Sequence, residues 1–399
     1  MSMAFYPVRS ERRSLAARLL TITGIAGRRA LRLYLSAAGL VMMLFLVTAW
    51  SIDLAKNFDE VAEVAAASDS AMALVLTEYL FYRGVDIVTR LLPVACFIGL
   101  FVAEFWRLNR LESTILAAAG RSPLQTLTVV AVFGLIVGAL QLGLEQTWRP
   151  SAVFAQVDLG AGSYAKRFKR GLTGGARWFV VGSDVLKARV KSDDEPELED
   201  VELYRGATDG SLKDVIIARR AVPTGIPDIW QLSDVAHWGP LPQEKGEERS
   251  GSSPFYLLSH YKSLELRLQL LPVQLTYYGV PAFYLPSDAL TGIDAARYAV
   301  KKAEIESAQA RRVAAAFLPG SFALLGASLA PIAGAGRVRS LRKILLLVMC
   351  GYVALVTLKV FWALGELGTV PATVAAWTAI VAALGGTALA VLRQMRPAA

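Results

Sequence analysis

Between residues 104 and 150 the chain sets residues suited to docking beside residues suited to crossing a bilayer. Leu108, Leu111 and Ile115 recur at three- and four-residue spacing, so they share one helical face, with Arg107, Arg110 and Glu112 turned away from it. The spacing predicts a short amphipathic helix over residues 105–120. Gly120 can take the left-handed conformation that stops it, Ser122 can cap the next helix, and Pro123 fits that helix's first turn. An apolar run at 124–144 follows and ends in Glu145-Gln-Thr-Trp-Arg149-Pro150. A docking helix for a partner and an ordinary loop between two spans both fit this pattern.

A second set of candidates is cationic: Lys56, Arg83, Arg90, Arg149 and Lys359. Arg90 and Lys359 fall inside apolar runs, where a charge is costly unless it is paired. Each therefore needs a wet cavity, a headgroup to snorkel to, or an acid such as Glu145 or Glu366.

The elements that must hold these residues are membrane helices. With 54% hydrophobic against 19% charged residues over 399 positions, the chain is too apolar for an ordinary soluble protein. A bilayer core of about 30 Å takes roughly 20 apolar residues. Runs at 33–52, 85–102, 124–144, 313–332, 344–364 and 374–392 predict six transmembrane helices in two groups of three. Pro93 interrupts the second.

The net charge of +9 is spread by membrane side rather than gathered for nucleic acid. Arg9, Arg12, Arg13, Arg18, Arg28, Arg29 and Arg32 crowd the N-terminal tail, part of which reads as a membrane-surface helix. Arg107, Arg110 and Arg121 lie between spans two and three, and Arg337, Arg339, Arg342 and Lys343 between spans four and five. The alternate loop at 53–83 is acidic instead, with Asp53, Asp59, Glu60, Glu63 and Asp69 around Lys56. Both termini are therefore expected in the cytoplasm. The run at 33–52 is long enough to stay in the membrane, so no cleavable signal peptide is expected. Cys96 and Cys350 sit in apolar runs without a CxxC partner, and His237 and His260 lack metal-ligand spacing. Neither a disulfide-stapled exterior nor a zinc site is expected.

The polar insert at 148–286 must then lie outside. It reads as short β-runs at 177–181, 185–190, 201–205, 212–220, 230–232, 256–258, 264–270 and 273–278. Thr208-Asp209-Gly210 is a hairpin signal, and 243–253 is a loop. Such a pattern indicates a sandwich, barrel or jelly roll, and a free edge strand can pair with another protein. Beyond it, Thr291 to Asp294 resembles a capping box that opens a charged helix running through Arg312 into the fourth span, where Pro319 should kink it. The expected organisation is a basic N-terminal segment (1–32), spans one to three (33–147), an inserted all-β domain (148–286), and a helical arm with spans four to six (287–399).

In this order the residues resemble the LptF/LptG (YjgP/YjgQ) permeases of lipopolysaccharide export in Gram-negative bacteria, over nearly the whole chain. The resemblance is carried by the stretch from Arg107 to Pro123, by Glu145 to Pro150, and by the hairpin at 201–221 with Trp230-Gln-Leu-Ser-Asp234 beyond it. Gly292 to Tyr298 leading to Arg312, and Val370 to Trp377 opening span six, add to it. The stretch at 290–317 is longer and more charged than is usual in that family. The acidic segment at 52–59 leans toward the G-type half.

The resemblance implies an α-helical inner-membrane protein with six spans (3+3) and a periplasmic jelly-roll-like insert. It implies a half-permease that pairs with a paralogous half, takes lipopolysaccharide from the outer leaflet, and passes it to periplasmic jelly-roll bridge proteins. A cytoplasmic ATPase dimer and a single-span regulatory subunit are the other implied partners. The chain has no G-x-x-x-x-G-K-[ST] loop to cradle phosphates, so it is expected to bind no cofactor itself, with ATP and Mg held by the ATPase. Residues 105–120 then become the candidate coupling helix, with Leu108, Arg110, Leu111, Glu112, Ile115 and Gly120 as its contact set. Lys56, Arg83, Arg90, Arg149 and Lys359 become candidates for the substrate's phosphates. The competing reading is a six-span sensor or envelope-assembly factor whose β-domain binds a partner without transport. An intramembrane hydrolase is a weaker third, since no span holds a Ser/His pair, paired aspartates or a His-Glu-x-x-His helix.

Overall fold

The computed structural model describes residues 24–120, 123–168, 175–192, 196–226, 228–240, 256–268, 270–277, 280–292, 302–333 and 341–395. The N-terminal surface helix, Ser122, the loop at 243–253, Asp294 of the capping box, and Arg337 and Arg339 lie outside those residues. The chain divides into two compact units. One holds Met1–Ala55, Gly84–Trp148 and Ala310–Ala399; the other holds Lys56–Arg83 and Arg149–Gln309.

The first two helices outrun their apolar runs. α1 (Ile25–Ala67) has 43 residues and α2 (Met72–Asn109) has 38, so each is roughly twice as long as a bilayer core is thick. The acidic segment after the first apolar run stays helical because it is rich in Ala and holds no Gly or Pro. It stops only where Asp69 takes φ 50. α3 (Glu112–Ala118) and α4 (Pro123–Gly143) follow, and α4 continues through a π-turn, Leu144–Trp148, into α5 (Arg149–Leu159). The insert thus begins as helix, with α6 (Gly162–Arg167) after it, rather than as strand.

Among the described residues, four helices are long and apolar enough to cross a membrane: Ile25–Ala67, Met72–Asn109, Gln125–Leu159 and Ala372–Met395. A fifth candidate is the pair α9 (Lys302–Ala315) and α10 (Leu318–Ala333), bent by 51°. The bend falls just ahead of Pro319, which has no N–H to offer the carbonyl four residues back. The run expected as the fifth span lies on Leu341–Glu366, several of whose side chains fall outside the described residues.

In this unit Tyr34, Ala38, Met42 and Leu46, four residues apart on α1, face Leu92, Cys96, Leu100 and Ala103 of α2, with Phe133 and Val137 of α4. Lipid tails are as apolar as leucine, so close backbone approach at small residues has to supply the attraction between helices. A Cβ on Gly99 would lie 2.6 Å from the Ala38 Cα, and one on Gly134 2.7 Å from the Gly320 Cα.

The other unit is built on one antiparallel meander in the order β1-β2-β3-β4-β5-β6. Its strands are β1 (Arg177–Val181), β2 (Asp184–Ser192), β3 (Pro196–Arg205), β4 (Asp214–Pro223), β5 (Ile229–Pro240) and β6 (Tyr256–Arg267). Phe179, Leu186, Leu203 and Ile216 pair across four strands in one buried row. Asp200 (φ 51) and Asp234 (φ 54) take left-handed backbone inside β3 and β5. Leu198 and Val201, and likewise Leu232 and Val235, are therefore buried at three-residue spacing, where regular alternation would turn one of each pair outward.

Two expected strands, 256–258 and 264–270, merge into β6, and the expected strand at 273–278 is the helix α7 (Pro272–Thr276), with α8 (Ser287–Gly292) beyond it. Pro272 suits a first helical turn and cannot donate to a sheet ladder. The Thr208-Asp209-Gly210 signal falls in the β3–β4 turn, between Gly206 (φ 75) and Gly210 (φ 70).

That turn is closed by a buried acid. Asp214 accepts from Arg205 Nε at 2.6 Å and faces His237 Nε2 at 3.2 Å. Burial pushes the Asp214 carboxyl up, but the bonds and charge of Arg205, joined by those of His237, outweigh it and hold the group below the ordinary carboxylate range. A depressed folded value means stability that is whole above about pH 4, the unfolded value, and lost as pH falls through the folded one. Asp214→Ala is expected to cost about 2 kcal/mol, less than a fully buried pair because Arg205 is partly exposed. It should also flatten the acid limb of a denaturant-unfolding series followed by circular dichroism; an unchanged acid limb contradicts the assignment.

Candidate functional site

Residues 105–120 do not form one amphipathic helix. α2 ends at Asn109, Arg110 and Leu111 make a turn, and α3 begins at Glu112. Leu111 has φ 59, which costs a side chain with a Cβ about 1–2 kcal/mol. Its carbonyl accepts from Ile115 N at 2.9 Å and so starts α3. Leu108 therefore belongs to one helix and Ile115 to the next. Leu111 and Ile115 are 54% and 65% exposed, Leu108 is half-buried, and Gly120 (φ 83) lies just past the end of α3. Arg110 is exposed, its guanidinium 4.0 Å from the centre of the Trp106 ring.

Arg107 is not turned to solvent, as the helical spacing suggested; it is buried. It donates to Glu104 Oε1 at 2.6 Å and to the Tyr34 hydroxyl at 2.8 Å, and Tyr34 in turn donates to Glu104. Counter-charge on its own helix and a hydroxyl from α1 make an interior position affordable for the guanidinium. Glu112 lies beside this group, 3.0 Å from Arg29 and 3.8 Å from Arg107. The pair Glu104 and Arg107, three residues apart at the end of an apolar helix, was a signal in the sequence. Nothing in the sequence pointed to Tyr34.

The five candidate cations are divided between the two units, Arg90 and Lys359 in one and Lys56, Arg83 and Arg149 in the other. Arg90 pairs with buried Asp86 at 3.0 Å. Arg149 is 1% exposed, with its guanidinium 3.9 Å from the centre of the Phe283 ring. Arg83 lies 5.2 Å from the Tyr164 ring centre. Glu366, the acid weighed for Lys359, is taken by Arg311. Lys56 and Lys359 are exposed, and among the described residues neither has an ion pair.

Long apolar helices, a sheet unit inserted between them, and a small exposed apolar turn at one helix end are the features to be matched. The family model of the lipopolysaccharide export system permease LptF/LptG matches residues 28–393. The chain belongs to the LptF/LptG family. Among curated proteins none matches it. Membership makes this LptF/LptG chain a permease component of lipopolysaccharide export, a transporter part rather than a catalytic enzyme. With its apolar helices it is a multi-pass protein of the inner membrane.

Proposed function

We propose that the chain is one half of an ATP-driven exporter, paired with a paralogous half to enclose a cleft that takes lipopolysaccharide from the outer leaflet. Six helices cross the membrane in this reading, with α9–α10 as the fourth and Leu341–Glu366 as the fifth. Both termini are cytoplasmic, and the β-unit is periplasmic, closing as a jelly roll that hands the glycolipid to bridge proteins of similar fold. ATP and Mg bind a separate ATPase dimer, and a single-span subunit regulates the assembly. Lys56 and Lys359, which are exposed and have no ion pair among the described residues, are the first of the five candidates for the phosphates of the substrate.

The observation that carries the coupling role is the exposed pair Leu111 and Ile115 beside Glu112. Apolar side chains facing water at a helix end, flanked by a charge that sets register, suit a groove on another subunit. The test is co-purification. Glu112→Arg is expected to release the ATPase while the second permease half stays bound, and to abolish glycolipid release from vesicles. Retention of the ATPase by this variant ends the coupling reading, and a wild-type chain that binds neither partner favours the sensor or assembly factor.

A further inference from the structure

Glu112 stands between two arginines of opposite character. The Arg29 side chain is 71% exposed, so its pair with Glu112 is a surface ion pair, screened by salt and worth little. Arg107 is 4% exposed in its side chain and fixed on two further sides, by Glu104 on its own helix and by Tyr34 on α1. Tyr34 is wholly buried. One turn further along, Ala38 and Gly99 bring α1 and α2 into backbone contact, so the two helices are packed as a pair at the level of this group. The turn at Arg110 and Leu111 interrupts the helix between α2 and α3. A charge contact bridges that break.

We propose that Arg107 is the positioning residue of the coupling segment, holding Glu112 and passing displacement of α3 to α1 and α2 together through Tyr34 and Glu104. Arg29 serves as a dispensable outer clasp. This rests on the reading of α3 as the ATPase-docking segment and adds the route by which its movement enters the membrane helices. Because Glu104 and Arg107 neutralise each other in a buried place, removing either charge alone strands the other. The informative change therefore replaces both by amides of similar shape, which keep hydrogen-bonding capacity and leave no charge unpaired.

The experiment uses the assembled exporter with its ATPase in lipid vesicles loaded with lipopolysaccharide. It reads ATP hydrolysed and lipopolysaccharide released on the same sample. Glu104→Gln with Arg107→Gln is expected to keep the ATPase bound and its hydrolysis within about twofold, while lipopolysaccharide released per ATP falls about tenfold, roughly 1.4 kcal/mol of lost coupling. Arg29→Ala should leave that ratio within about twofold. An unchanged ratio in the double variant overturns the proposal, as does an equal loss on Arg29→Ala. Should the double variant fail to assemble, Tyr34→Phe decides: it leaves both charges paired and removes only the hydroxyl bridge from α1. It is expected to lower the ratio about threefold, and no change there overturns the relay. Failure of the docking reading looks different, since the Glu112→Arg chain would then still hold its ATPase.

Discussion

Gly138→Ala is expected to lower the unfolding temperature of the detergent-purified chain by several degrees, while Gly143→Ala, five residues along the same helix, leaves it unchanged or slightly raised. A Cβ on Gly138 would run into the carbonyl oxygen of Ala316, whereas one on Gly143 meets nothing within 4 Å. The obstacle at Gly138 is backbone, which cannot rotate away as a side-chain tip would. α4 must therefore separate from α10, where Gly134 and Gly320 also meet. Overpacking of this kind costs about 1–3 kcal/mol, against a gain of up to about 1 kcal/mol for alanine over glycine in an open helical position. The two variants should differ by about 1–4 kcal/mol, and equal melting of both would show that this helix contact is loose. Ala316 also lies at the bend between α9 and α10, so the same substitution should disturb the bend.

Trp230→Ala is expected to cost about 3–5 kcal/mol, the largest loss in the sheet unit. Trp230 is fully buried on β5, and its indole N–H donates to the Leu270 carbonyl at 2.8 Å. Truncation opens a cavity in the apolar cluster that also holds Leu198, Leu232 and Leu275, and strands that carbonyl. Amide exchange of β4 to β6 should speed up by roughly two to three and a half orders of magnitude where it reports opening of the whole sheet. Trp238→Ala, on the exposed side of the same strand, should change it less than about threefold. Similar exchange in both variants would remove Trp230 from the centre of the core.

Much of the fold was legible in the sequence because its signals are local. Apolar runs located the membrane helices, and turn residues separated β1, β2, β3 and β4. Legibility failed where a local rule met a distant partner. Regular alternation could not foresee left-handed Asp200 and Asp234, whose conformations are held by packing of Leu198, Val201, Leu232 and Val235. Helical spacing put Arg107 on the wet face because the residue that receives it, Tyr34, lies 73 positions away. It also ran one helix through Leu111, since Leu111 is a good helix former and nothing nearby in the chain announces a break.

Hydropathy, charge bias and motif order by themselves determined the family, the apolar helices and the inserted β-region, because each is summed over many residues and survives local error. The tertiary structure alone decided which charges are spent on one another and which remain open. Arg311 took Glu366, Asp86 took Arg90, and Arg149 went under an aromatic ring, while Lys56 and Lys359 stayed exposed. The physical reason is that the worth of an ion pair depends on distance and burial, and both are set by which helices approach through their small residues, a matter that no single stretch of chain contains.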